Sequence, residues 1–186
     1  MKQKNLGLYF IALVPEEPAY IELMLLKNEV NDRFNSKAAL RSPPHITLHM
    51  PFQWKEEKEI KLINALTGLV KEQTTIMLHL KDFGAFPPRV IYVNVEENES
   101  LNGLQSGVLN LARSKWHIYP RSSLSRPFKP HITIAFRDLK KAQFIEAWSE
   151  FKQRKYNADV VINHVCLLKH NGKSWDILHR AALNPG

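Results

Sequence analysis

The chain has 186 residues, 44% of them hydrophobic and 24% charged, which fits one sizeable domain or two small lobes sharing a core. No apolar run approaches the roughly 18 residues that cross a bilayer, and the single cysteine excludes an intrachain disulfide and a multi-cysteine zinc site. The formal net charge of +8 favours a polyanionic partner, a nucleic acid or a phosphorylated substrate, although basic surfaces are common.

The opening "MKQKNLGLYFIALVPEE" puts two lysines before a short apolar run that ends in Pro-Glu-Glu. It lacks a small-residue cleavage site, so it reads as the first strand (6–14) of a cytoplasmic protein rather than as a signal peptide. Residues 16–35 carry Tyr20, Leu23, Met24, Val30 and Phe34 at helical spacing. "HITLHM" (45–50) is a short strand bracketed by prolines. A helix follows over 55–72 with Ile60, Ile63, Leu66, Leu69 and Val70 as its core stripe. "TTIMLHLKDF" (74–83) and "VIYVNV" (90–95) are strands on either side of "FPPR".

A second helix pattern spans 99–115, with Leu101, Leu104, Val108, Leu109 and Leu111 inward, and a polar, proline-bearing loop covers 118–130. "HITIAF" (131–136) is a strand, and 138–154 a helix with Phe144, Ile145, Trp148 and Phe151. The runs 158–170 and 174–183 flank Asn171-Gly172, a type I′ hairpin signal. Cys166 lies in the apolar "VCLLK" and reads as a buried structural thiol. The order is β-α-β-α-β, then β-α-β-α-β-β. His45 and His131 fall at the same place in the two series. That predicts a single domain over 1–186 built of duplicated units, approximately 6–86 and 89–183.

"PHITLHM" (44–50) and "PHITIAF" (130–136) share a four-residue word, in a chain with only eight histidines and five threonines. Chance supplies about 0.2 His-x-Thr matches at that composition, and about 0.04 with apolar residues after His and Thr. On a strand, residues i and i+2 share a face. His45 and Thr47 therefore point one way while Ile46 and Leu48 point into a core. His131 and Thr133 do likewise beside Ile132 and Ile134. If the units face each other, two imidazoles and two hydroxyls meet in one cleft.

That set suits displacement at phosphorus. One imidazole takes a proton from the attacking oxygen and the other gives one to the leaving oxygen. Threonine hydroxyls donate to the equatorial oxygens, where transition-state charge gathers. Metal ligation by His45 and His49 is the rival reading, but the flanking prolines favour a strand and no carboxylate lies near either word. Two buried structural histidines are the plain alternative.

With these motifs the chain resembles the 2H phosphoesterase superfamily, and within it the 2′-5′ RNA ligase, or LigT-like, branch. The resemblance also covers "YFIALVP", "GAFPPRVIYV", "RPFKPHITIAF" and the terminal "NGKSWDILHRAAL". It implies an α+β, bilobal fold: two pseudo-symmetric lobes of antiparallel sheet with outer helices around a central cleft. It implies metal-independent, cofactor-free action on 2′,3′-cyclic phosphates or 2′-5′ linkages of RNA or nucleotides, with reversible ligation. The catalytic set would be His45, Thr47, His131 and Thr133, with His131 as base and His45 as acid. Two departures bear on substrate preference: Phe136 precedes Arg137 where similar proteins read Ala-Arg, and "HMPF" follows the first motif.

Around this set, Arg121, Arg126, Phe128 and Lys129 are candidates to hold phosphates or stack a base, with Arg89 and Arg41 weaker ones. Tyr92 and Trp116 are candidate stacking rings, and His49 a group behind the site or a solvated strand end. His79, His117, His164, His170 and His179 read as structural. A non-catalytic module that captures nucleotide or RNA ends is the alternative function, and a metal-dependent hydrolase the third. Intact His and Thr in both words favour the enzyme.

Overall fold

In the computed structural model, which describes residues 5–119 and 127–185, the first apolar run becomes β1 (Leu6–Leu13). It is buried from Tyr9 onward because both of its faces are covered. Helix α1 (Ala19–Phe34) follows and ends at Asn35, whose left-handed φ of 51° lets its N–H reach the Asn31 carbonyl. A single 3₁₀ turn (Ala38–Arg41) then leads into β2 (Ile46–Lys55). The chain continues through α2 (Glu59–Val70), β3 (Ile76–Phe86), β4 (Val90–Val95) and α3 (Glu99–Trp116). It ends with β5 (His131–Ala135), α4 (Lys141–Phe151), β6 (Asn157–Ile162), β7 (His164–His170) and β8 (Trp175–Ala182).

The eight strands form one antiparallel sheet in the order β6-β3-β4-β5-β2-β1-β7-β8. Its two four-stranded halves meet where Ile46 of β2 pairs with Ile132 of β5, and both residues are fully buried. The main core lies between one face of the sheet and the helices. On the other face a smaller cluster forms from Phe10, Ala12, Cys166 and Leu168, with Val14, Trp175 and Ile177 against it. This is the α+β, two-lobed antiparallel architecture expected from the sequence.

The details correct several expectations. The apolar run 158–170 is two strands, broken at Asn163. β6 pairs with β3 at one edge while β7 pairs with β1 in the other half, and one straight strand cannot reach both. β3 likewise pairs with β4, so each half of the sheet draws strands from both stretches of sequence. The Asn171-Gly172 connection is not a two-residue type I′ turn. Gly172 takes a φ of 98°, but Asn171 stays outside that region and its Oδ1 accepts from the Lys173 and Ser174 N–H groups.

The helix stripes also shift. Leu62, Leu66 and Val70 face the core from α2, and Phe144, Ala147 and Phe151 from α4. Ile60 and Ile145 are 59% and 60% exposed, because at roughly 100° per residue neither lies on the line joining the buried positions. On α3, Ala112 and Trp116 extend the stripe of Leu101, Leu104 and Val108.

Candidate active site

Both repeated words sit at the seam between the halves. His45 immediately precedes β2 and His131 opens β5. Extending the antiparallel Ile46–Ile132 register by one residue each way sets His45 opposite Thr133 and Thr47 opposite His131. The isoleucines go into the main core, so the four polar side chains take the opposite face of the sheet. The strand alternation read from the sequence therefore brings all four to one place.

The two imidazoles are held alike. His45 Nδ1 donates to the Pro43 carbonyl and His131 Nδ1 to the Lys129 carbonyl, each at 2.7 Å and each two residues back. A carbonyl only accepts, so Nδ1 carries the hydrogen and Nε2 is left as the titrating nitrogen in both rings. Aromatic walls fix the planes. Phe10 lies 4.8 Å from the His45 ring, and Tyr92 and Phe86 lie 4.9 and 5.2 Å from the His131 ring. Tyr92 lies across its cross-strand partner Gly84, where a Cβ would overlap the ring.

The electrostatics oppose protonation on both sides. Burial, with Lys27 and His131 nearby, pushes His45 down to about 4, against the help of the Pro43 carbonyl. Burial also lowers His131, and the Lys129 ammonium adds to it. Lys129 Nζ sits 5.5 and 5.4 Å over the Phe86 and Tyr92 rings, a cation poised beside His131. A hollow of about 480 Å³ opens on the His45 side, lined by Arg41, Ser42, Pro43, Trp175 and Ile177 among others. Trp175 packs edge-on against Phe10 at 4.6 Å, which joins this hollow to the His45 wall. Among the described residues no three His, Cys, Asp or Glu cluster as metal ligands would.

Other candidates are placed differently. Trp116 packs against Phe52 in the main core, and Phe128 packs against that same core. Arg89 is exposed in the β3–β4 turn, its N–H donating to the Phe86 carbonyl. Arg137 lies beyond β5 at a φ of 51°, with its guanidinium 4.7 Å from the Phe136 ring centre. Arg121 and Arg126 fall outside the described residues. Cys166 is buried and its thiol is pushed up to about 11, as a structural residue requires. Phe10 and Phe86, which wall the two imidazoles, lie outside both repeated words. For Phe10 the signal was available, since it alternates with the core residues Tyr9 and Ile11.

His49 is the clearest correction. Strand parity put it on the face of His45. Instead β2 runs on through Pro51 to Lys55 and bulges twice against β1, once between the pairs Tyr9–Phe52 and Ile11–His49 and once before Ala12–Thr47. Proline, which cannot donate to the ladder, sits in the first bulge. The second turns His49 into the core, where it is 2% exposed, edge-on to Phe52 at 5.2 Å. Its Nδ1 donates to the Met50 carbonyl at 2.7 Å, while the buried Nε2 has no hydrogen-bond partner among the described residues.

Burial lowers the His49 pKa below its ordinary 6.5. Below pH 6.5 the unfolded chain takes a proton that the folded one refuses, so stability falls as pH drops through that window. His49→Met is expected to leave stability at pH 7.5 within about 1 kcal/mol and to shrink the loss between pH 7.5 and 5. Urea unfolding at the two pH values checks this; an unchanged pH difference would rule it out.

A family model described as the 2′-5′ RNA ligase superfamily matches residues 16–174. A candidate phosphoesterase of Geobacillus sp. (strain WCH70) is 30% identical over 177 residues, covering 91% of this chain and 92% of its own. One from Bacillus pumilus (strain SAFR-032) is 27% identical over 176 residues, covering 91% and 93%. Among solved structures, Escherichia coli LigT in apo form is 20% identical with a TM-score of 0.70, over 97% of this chain and 99% of that one. LigT complexed with 3′-AMP gives 0.70 at 21% identity, over 96% and 99%. TT0787 of Thermus thermophilus gives 0.68 at 20% identity, over 96% and 98%. At these identities the structural likeness establishes a LigT-like fold.

Proposed function

The chain belongs to the 2′-5′ RNA ligase superfamily, and we propose that it is a phosphoesterase that opens 2′,3′-cyclic phosphates, or 2′-5′ linkages, on RNA or nucleotides by two-histidine acid–base catalysis. The observation that carries this reading is the matched tether of the imidazoles. Each Nδ1 is committed to a carbonyl two residues back, which leaves Nε2 as the free nitrogen of each ring.

In hydrolysis, one Nε2 takes a proton from water as the water oxygen bonds to phosphorus. The ring P–O bond breaks on the opposite side, and the other Nε2 protonates the departing ribose oxygen. The product is a ribose monophosphate with a free neighbouring hydroxyl. When the 5′-hydroxyl of a second RNA attacks instead and the P–O3′ bond breaks, a 2′-5′ linkage and a protonated 3′-hydroxyl form; attack of that 3′-hydroxyl on the linkage, with the 5′-oxygen leaving protonated, is the reverse step. Thr47 and Thr133 donate to the non-bridging oxygens, and Lys129 adds a positive charge on the His131 side.

Burial and the neighbouring charges together favour a division of roles opposite to the one expected from sequence. His45, buried and with Lys27 and His131 nearby, holds a proton poorly and suits the base. His131, opposed by burial and by Lys129 but by no second cation among the described residues, suits the acid. A nucleotide-sized ligand is supported by the hollow beside His45, where Trp175 offers a ring and Arg41 a cation. It is also in keeping with the 3′-AMP of the LigT complex.

The test is turnover of 2′,3′-cyclic nucleotides and a 2′-5′-linked dinucleotide, with and without EDTA, with products separated by chromatography. Turnover unaffected by EDTA is expected. Activity abolished by EDTA would replace the two-histidine mechanism with a metal-dependent one. Binding without turnover across the panel would leave a capture module. Thr47→Val and Thr133→Val are each expected to lower kcat about 10²-fold with the substrate still bound, the loss typical of one transition-state donor. Unchanged kcat in both would remove the threonines from the mechanism.

A further inference from the structure

His45 is reached through a short brace. The 3₁₀ turn Ala38–Arg41 runs through Ser42 into Pro43, whose carbonyl holds the His45 ring. Side chains from elsewhere fix both ends of that turn. At its start, Asp138 Oδ2 accepts from the Lys37 and Ala38 N–H groups, each at 2.9 Å, and Oδ1 accepts from the Ser36 hydroxyl at 2.8 Å. At its end, Lys27 Nζ donates to the Ala39 and Ser42 carbonyls, both at 2.9 Å. Acceptor oxygens thus meet the free N–H groups at the start of the turn, and the Lys27 amine meets carbonyls at its end.

Neither group is placed as an ordinary surface charge. Lys27 is 1% exposed, in the apolar stripe of α1 between Leu23 and Val30, and burial pushes it down to about 7. A lysine in such a position is tolerated where fixed acceptors meet it. Asp138 comes three residues after Ala135 ends β5, the strand of the second motif. The two halves of the sheet share one registered pair at Ile46–Ile132. The bonds from Asp138 to the turn are a second tie, running from the exit of one motif to the approach of the other.

We propose that Lys27 and Asp138 are positioning residues that, through the 3₁₀ turn and the Pro43 carbonyl, set the tautomer and aim of His45 relative to His131. The inference rests on the reading of His45 as catalytic, but its first test needs no substrate. Long-range ¹H–¹⁵N spectra of ¹⁵N-histidine-labelled full-length protein at pH 7.5 report which ring nitrogen carries the proton. Wild type is expected to show His45 as the Nδ1–H tautomer. In Lys27→Met and Asp138→Ala that signature is expected to blur into a mixture, with His131 unchanged.

On a 2′,3′-cyclic nucleotide both variants are expected to lose about 10- to 100-fold in kcat, with KM within about threefold, as misplacing an otherwise intact group does. Asp138→Asn, which keeps one acceptor oxygen, should recover part of the loss. A wild-type His45 signature retained in both variants would overturn the proposal. So would a wild-type protein in which His45 is not the Nδ1–H tautomer. If Lys27→Met fails to unfold cooperatively, Asp138→Ala alone decides. A changed signature without any turnover in wild type would keep the positioning role and refute the proposed function instead.

Discussion

His45→Ala and His131→Ala are each expected to lower kcat/KM for a 2′,3′-cyclic nucleotide by about 10⁴-fold. That is the upper end of what one positioned acid or base supplies. The size follows from the division of labour. Each ring stands in its own half of the sheet and is tethered to its own carbonyl, so neither has a spare imidazole to take over. His49, the nearest in sequence, is turned into the core by the bulge before Ala12–Thr47. The double variant is expected to be little worse than either single one, since in the proposed mechanism the two rings act in one proton exchange. Both sites are half-buried at the seam, so thermal unfolding must first show the variants folded. A single variant that keeps more than a tenth of wild-type activity would mean the reaction occurs elsewhere.

Much of this site could be read from the sequence because it depends on strand alternation over three residues. His-Ile-Thr puts isoleucine in the core and its neighbours on the other face, and the pairing of Ile46 with Ile132 keeps that alternation regular through both words. Parity fails where a strand bulges. His49 is only two residues beyond Thr47, yet the bulges on β2 reverse its side. Bulges depend on how β1 pairs with β2 rather than on local pattern. The break at Asn163 is similar. The run 158–170 is apolar throughout, and only the partners β3 and β1, lying in different halves, force it to divide.

Lys27 illustrates a different gap. A charged residue inside a helical apolar stripe is a visible irregularity, but its meaning lies in the Ala39 and Ser42 carbonyls, which the turn alone brings within reach. Asp138 is still less legible. Its sequence neighbours point to the second motif, whereas its hydrogen bonds go to the start of the turn before the first. The candidate catalytic residues are thus legible locally, whereas the contacts of Lys27 and Asp138 arise only in the packing.

The pH dependence should separate the two histidines. For an acid–base pair, kcat/KM reports the free protein, where both imidazoles lie below the ordinary 6.5. The base must be neutral and the acid protonated. Activity should therefore rise as pH increases through about 4, where His45 loses its proton, and fall above the lowered pKa of His131. On that limb kcat/KM drops about tenfold per pH unit, roughly a hundredfold between pH 7 and 9. Bound substrate changes the balance, because a phosphodiester anion between the rings favours both imidazoliums. The kcat profile should then be displaced upward, and inorganic phosphate should inhibit more strongly at pH 6 than at pH 8, since binding takes up a proton. Lys27→Met, which removes the ammonium from behind His45, should raise the pKa of the acid limb and leave the alkaline limb unmoved. If that variant moved the alkaline limb instead, His45 would be the group of higher pKa in the free protein, and the order of the two titrations drawn here would be overturned.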